Sequence, residues 1–182
     1  AAAGAWLNYA ALSHATYLLP FYLLDMLHMS ASEAGIYLMS MPIAMASVAG
    51  LSGWWSDRVG SRILSSLGNV IMALALLLMA FLVPGRPVIW LVATLLLLGV
   101  GVGLFVSPNT SAMLSSAPRQ QQGIAAGMLA LSRNLGMVVG TALGALMFAL
   151  GQDWGASEVG ASEDFPGFRL ACGAGALWAL VA

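Results

Sequence analysis

Six apolar segments, each near the roughly 20 residues that carry a helix across a bilayer, predict an all-α, polytopic membrane fold for this chain of 182 residues. Composition agrees: 60% of the residues are hydrophobic, 7% are charged and the mean hydropathy is +0.92, whereas a soluble domain of this size covers itself with far more charge. Helices rather than barrel strands follow because backbone groups in lipid must be bonded within their own segment, and no stretch alternates with period two. The segments run approximately Trp6–Leu24, Ala34–Gly53, Ile63–Val83, Val88–Phe105, Gly123–Leu150 and Phe168–Ala182, a single bundle over residues 1–182 whose last span is cut short. The chain opens on Ala1 close to one span and stops at Ala182 inside another, the pattern of a piece of a longer protein.

At about 100° per residue, the first segment gathers Trp6, Tyr9, Ser13, Thr16, Tyr17 and Pro20 on one side. Aromatic residues near span ends suit the headgroup belt. Ser13, Thr16 and Tyr17 in the middle do not, and that stripe is expected to line a cavity. His14 points away from it and reads as a packed histidine. The second segment opens with Ser30 and Glu33 three residues on, a capping-box spacing, and carries Pro42 at mid-span, where a kink is expected. Gly35, Pro42, Ala46 and Gly53 form a row of small residues suited to close helix contact.

Gly53 to Arg62 reads G-W-W-S-D-R-V-G-S-R, a polar hairpin between two apolar runs. Gly53 leaves room for a close backbone, Asp57 is suited to accept from the free N–H groups of a helix start, and Gly60 permits a left-handed turn. Arg58 and Arg62 are positive charges beside spans, which marks this side as cytoplasmic. The third segment, rich in Leu and Met with Asn69 as its main polar group, reads as lipid-facing. Pro84 and Pro87 bracket the next turn.

In the fourth segment Trp90, Thr94, Gly101, Phe105 and Pro108 share one face, expected to line the cavity. Gly99 and Gly103 lie on the other, spaced for close packing. The fifth segment carries the row Gly136, Gly140, Gly144, and on the same face Arg133, the one charge well inside an apolar segment. An ionisable group at that depth is a functional candidate; the competing reading is an arginine that snorkels to the headgroups. The acidic stretch Asp153–Asp164 reads as a solvated outer loop, and the lone Cys172 as packing.

Charge sets the orientation. Arg58, Arg62 and Arg119 fall on one side, Arg86 and Arg169 on the other, and both chain ends are expected on the first, cytoplasmic side of a cell membrane. There is no lysine and no basic tract for nucleic acid. An enzyme needs converging acids, a nucleophile with its base, or metal ligands. His14 and His28 lie at different depths and no H-x-x-x-H, C-x-x-C or G-x-S-x-G occurs, so no enzyme, cofactor or metal is expected.

The hairpin resembles the G-x-L-A-D-R-x-G-R-K signature of the major facilitator superfamily, in the loop after the second span of a six-span half. Gly53, Asp57, Arg58, Gly60 and Arg62 match, while Trp55, Ser56 and Ser61 replace the usual Leu, Ala and base. The run Leu98–Phe148, with G-V-G-V-G-L, P-N-T and G-I-A-A-G…S-R-N-L-G…G, looks most like the drug:proton antiporters of multidrug resistance. The resemblance covers nearly the whole chain as a C-terminal half. It implies that the first and fourth helices line a central path, that the second and fifth flank an N-terminal half not included here, and that the third and sixth face outward. It implies proton-coupled export of hydrophobic drug-like compounds by alternating access, with the Gly53–Arg62 signature as a conformational switch and the coupling acid in the other half. The alternatives are a metabolite, sugar or organic-anion carrier of the same superfamily and a transport-inactive membrane scaffold.

Overall fold

The computed structural model describes residues 2–155 and 166–182, without the side chains of Ala2, Ala15, Asp25, Met26, Asp57, residues 151–155 and Pro166. Every regular element it contains among the described residues is helical: α1 (Ala2–Phe21), α2 (Ala31–Leu38), α3 (Ser40–Val59), α4 (Ser61–Leu82), α5 (Val88–Ser115), α6 (Gln122–Gly155) and α7 (Pro166–Val181). Among the described residues, four stretches are long and apolar enough to cross a membrane: Ala31–Ser56, Ser61–Leu82, Val88–Ser115 and Arg119–Leu150.

Local chemistry accounts for the helix ends. Helix α1 passes into a π-turn, Tyr22–Met26, and the chain reverses through His28, whose φ of 50° is a left-handed value. Ser30 then caps α2: its hydroxyl accepts from the Glu33 N–H at 3.3 Å while the Glu33 carboxylate accepts from the Ser30 N–H at 3.0 Å. The helix breaks between Leu38 and Ser40. Pro42 has no N–H for the Leu38 carbonyl and its ring crowds that oxygen, so the interruption falls one turn ahead of the proline.

Two helices end later than the apolar segments predict. Helix α3 continues through Val59 and α5 through Ser115, so the polar residues after Gly53 and after Phe105 are helical. The hairpin is thereby reduced to one residue, Gly60, at φ 94°. Of the acidic stretch Asp153–Asp164, residues 156–164 lie outside the described residues.

Helix α5 packs between α3 and α4, α1 packs between α6 and α7, and α4 against α7 joins the two groups. The contacts of α5 with α3 and α4 have counterparts in those of α1 with α6 and α7, a pairing like that of an internal repeat, although α6 also packs on α7 while α3 hardly meets α4. The core is shared by α1 (Leu18, Leu19) and the π-turn after it (Leu23), α4 (Met72, Leu76, Met79), α5 (Leu91, Leu95, Leu98) and α7 (Phe168, Cys172, Ala176). Helix α4 is therefore not simply lipid-facing. One side of it is core, and Leu67, Val70, Leu74 and Phe81 point outward. Tyr22 secures one end of the core by donating to the Val83 carbonyl at 3.1 Å and stacking on Phe168, with ring centroids 5.0 Å apart.

Glycines set the helix contacts. Gly136, Gly140 and Gly144 of α6 sit against the backbone of Trp6, Ala10 and His14 of α1, one helical turn per step. Gly99 and Gly103 of α5 sit against Met41 and Met45 of α3. Gly68 and Gly101 face each other where α4 crosses α5, and a Cβ on Gly68 would lie 2.7 Å from the Gly101 carbonyl oxygen. The row Gly35, Pro42, Ala46 and Gly53 does not act in this way. Gly35 has open space beside it, Pro42 and Ala46 are exposed, and a Cβ on Gly53 would make only an ordinary 3.5 Å contact with the Ser107 hydroxyl. The contact face of α3 is instead Met41, Ala44, Met45, Val48 and Ser52, the last donating to the Gly103 carbonyl at 3.1 Å.

Candidate functional site

At the α3–α4 junction, Gly53, Asp57 and Arg58 all lie in the last two turns of α3, Gly60 makes the turn, and Arg62 opens α4. The Arg58 guanidinium stacks over the Trp54 ring at 3.8 Å, one turn back on the same helix face, a cation–π contact for which Trp54 was not singled out by its sequence. Trp54, Trp55, Arg58 and Arg62 are exposed, and the Asp57 side chain lies outside the described residues. Gly53 makes no close backbone contact, contrary to the expectation for it. Ser61, Arg62 and Ser116 border one cavity, which puts the junction at the same end of the bundle as the turn that carries Arg119. Gly4 and Ala182 border it too, so both ends of the chain lie at this face.

The α1 stripe divides. Tyr17 and Thr16 are exposed, Tyr17 lying against Phe21 with ring centroids 5.3 Å apart. Ser13 is buried and donates to the Tyr9 carbonyl at 2.8 Å, and Thr16 donates to the Leu12 carbonyl at 3.0 Å. Both hydroxyls thus satisfy themselves on their own helix, which lets them sit in an apolar span without a partner. Trp6 turns to α7 and meets Trp178 edge-on, with centroids 5.6 Å apart. Tyr9 of α1 and Arg133 of α6 are close enough to interact electrostatically. Arg133 itself is exposed, between the turn that meets Trp6 and the start of α6.

On α5 the expected cavity face is only partly open. Trp90 is exposed; Thr94 is buried and donates to the carbonyls of Leu91 and Trp90 at 2.9 and 3.1 Å. Gly101 is not available to a cavity because it is sealed against Gly68 and Met72 of α4. Phe105 is buried at the rim of the cavity beside Arg62. His14 is buried between α6 and α7, its Nδ1 2.7 Å from the Ala10 carbonyl oxygen. Sequence reasoning missed the Asn8–Asn69 pair: the Asn8 amide donates to Asn69 Oδ1 at 2.7 Å and ties α1 to α4 in the interior. Two polar residues at similar depth on separate helices were the available signal.

Helices packed through glycine rows, with α3 and α6 exposed along most of their length and a charged turn at one end, are a transporter-like arrangement. The profile of the Major Facilitator Superfamily matches residues 1–182. The chain belongs to the major facilitator superfamily. Relatives include the uncharacterized transporter YebQ of Escherichia coli K12, 42% identical over 133 residues that cover 71% of this chain and 28% of that protein. The riboflavin transporter RibZ of Clostridioides difficile is 35% identical over 134 residues, 74% of this chain and 29% of its own length. The multidrug resistance protein Stp of Mycobacterium tuberculosis is 30% identical over 119 residues, 65% of this chain and 22% of its own length. The matched part is thus under a third of the length of each of these relatives. Membership makes this an integral membrane chain of a transporter superfamily and accounts for a signature hairpin in which five positions match.

Proposed function

We propose that this chain is the C-terminal six-helix half of a secondary active transporter of the cell membrane, and that the whole protein exports hydrophobic, drug-like compounds in exchange for protons by alternating access. One observation carries the reading: beyond their contacts with α5 and α1, α3 and α6 leave most of their apolar surface uncovered. Only 11% of the apolar window of Ala31–Ser56 and 17% of that of Arg119–Leu150 is buried, against 50% for Ser61–Leu82. A second six-helix half packed on those two helices is the partner that alternating access requires. Tyr17 and Trp90, exposed on α1 and α5, then face the path between halves and offer flat aromatic surface to an apolar cargo. The Gly53–Arg62 junction serves as the conformational switch, facing the cytoplasm with both ends of the chain. The relationship to Stp favours drug export.

The relationship to RibZ favours a second reading, carriage of a planar metabolite. Vesicles containing the full-length protein separate the two. An imposed proton gradient drives movement of a lipophilic cationic dye in the first case and of riboflavin in the second. No gradient-driven flux of either would refute both.

A further inference from the structure

His14 of α1 is 0% exposed and stands where α1, α6 and α7 meet. We propose that it is a proton switch for the packing of α1: neutral, it lets α1 lie on α6 and α7; protonated, it drives them apart.

Hydrogen bonding fixes the neutral form. Nδ1 lies 2.7 Å from the Ala10 carbonyl oxygen. A carbonyl only accepts, so the ring proton sits on Nδ1 and the lone pair on Nε2. Nε2 has no hydrogen-bond partner among the described residues, a condition it shares there only with Asn8 Oδ1 among buried side-chain atoms. The surroundings are glycine and aliphatic. A Cβ on Gly144 of α6 would stand 3.3 Å from His14 Cα, and one on Gly175 of α7 would stand 3.4 Å from both His14 Cβ and a Leu76 methyl. Such a pocket suits a neutral ring. A proton added at Nε2 makes a donor and a positive charge that this packing neither bonds nor pairs, and a buried charge of that kind is costly. The cost is relieved when α1 parts from its neighbours and water reaches Nε2. Access depends on the same movement, since a fully covered nitrogen meets a proton only when the helices separate.

The titratable and charged groups on the surrounding elements do not offset that charge. They are Tyr9 and Tyr17 of α1, Tyr22 and Asp25 of the π-turn, Arg133 and Asp153 of α6, Arg169 and Cys172 of α7 and Arg62 of α4; α5 has none. The two acids are more than two helical turns along the chain from His14 and from Gly144. The arginines have the wrong sign, and Cys172, one turn from Gly175, offers a thiol rather than a carboxylate. In the function proposed above, α1 borders the path, so proton uptake at His14 moves a path-lining helix. That consequence rests on that reading; the switch itself rests only on the packing of this half.

The test uses full-length protein in detergent, freed of other reactive cysteines and carrying spin labels at Thr16→Cys of α1 and Leu146→Cys of α6. Both positions are exposed, and they lie at one level of the bundle because Gly144 stands opposite His14. Dipolar broadening between the labels reports the α1–α6 spacing with no cargo present. From about pH 8 to about pH 5, across the ordinary titration range of histidine, broadening weakens in protein that keeps His14. The ratio of separated to packed molecules rises by up to about tenfold per pH unit, the limit for one proton. His14→Gln, which is neutral throughout and still able to donate to Ala10, holds the alkaline spectrum over the whole range. His14→Leu, which leaves no unpaired polar atom, does the same and decides the matter if the glutamine variant misfolds. His28→Gln, at the exposed histidine of this chain, keeps the full response. Broadening that does not change with pH, a change that survives in His14→Gln or His14→Leu, or an equal loss of response in His28→Gln overturns the inference, whether or not any compound is transported.

Discussion

Replacing Gly140 by alanine tests the helix packing on which the rest depends. An added Cβ meets the carbonyl oxygen of Ala10 and stands 2.7 Å from its Cα, about 1 Å inside the ~3.5–4.0 Å at which carbon atoms rest. Neither atom belongs to a flexible side chain, so α6 must lift from α1 as a body. Such overpacking costs ~1–3 kcal/mol, and a gap of ~0.5–1 Å forfeits a quarter to a half of the dispersion energy at the neighbouring contacts of Gly136 and Gly144. Alanine recovers up to ~1 kcal/mol of helix propensity. The balance is a loss of about 1–2 kcal/mol, a change of about 5–30-fold in the folded-to-unfolded ratio. The assay is unfolding of the purified full-length protein by titration of detergent micelles with dodecyl sulfate, followed by tryptophan fluorescence. Gly173→Ala is the control, because a Cβ there has nothing within 4 Å; it leaves stability unchanged or raises it. A Gly140→Ala protein as stable as wild type would refute backbone-to-backbone packing of α1 on α6.

Two further outcomes are expected. Asn8→Leu or Asn69→Leu alone strands the other amide in the interior and costs ~1–3 kcal/mol, whereas the double replacement costs less than the sum of the two singles; the same titration measures all three. If the α3–α4 junction is the switch proposed above, with Asp57 meeting a helix N-terminus or an arginine across the halves in one state, Asp57→Asn removes a charge contact of about 1–2 kcal/mol and shifts the balance of inward- and outward-facing states roughly tenfold. Transport then falls while substrate affinity in the favoured state is kept, as flux and binding assays on the full-length protein would report. Unchanged flux and unchanged balance would leave the junction as a topology signal only.

Much of the architecture could be read from the sequence because the bilayer leaves few options. The row Gly136–Gly140–Gly144 was legible since three small residues at i, i+4 and i+8 leave a groove that only another backbone fills. The similar row on α2 and α3 misled because small residues do not say who stands opposite. There the glycines that permit contact, Gly99 and Gly103, belong to the partner helix, and α3 presents Met41 and Met45. Helix α4 was misjudged for a related reason: Leu and Met are equally at home against lipid tails and against a protein core. Asn69 was the only contrary sign. The apolar segment stops at Phe105 because the residues that follow, from Ser107 to Ser111, are mostly polar. Here the helix carries those residues on through Ser115, where Asn109 and Ser116 wall a cavity rather than form a loop. Gly101 could not be assigned from its face alone, since the same side of α5 that holds Trp90 and Phe105 also meets α4 at Gly68.

Whether α1 faces an aqueous path between two halves is decided by the accessibility of position 17. Tyr17→Cys is placed in full-length protein from which other reactive cysteines have been removed; Cys172 is itself fully buried and silent. With α1 on the path, a membrane-impermeant thiol reagent labels position 17 from the aqueous phase and a transported compound slows the labelling. Labelling only by a lipid-soluble reagent, at a rate no transported compound alters, would place Tyr17 against the bilayer and contradict it.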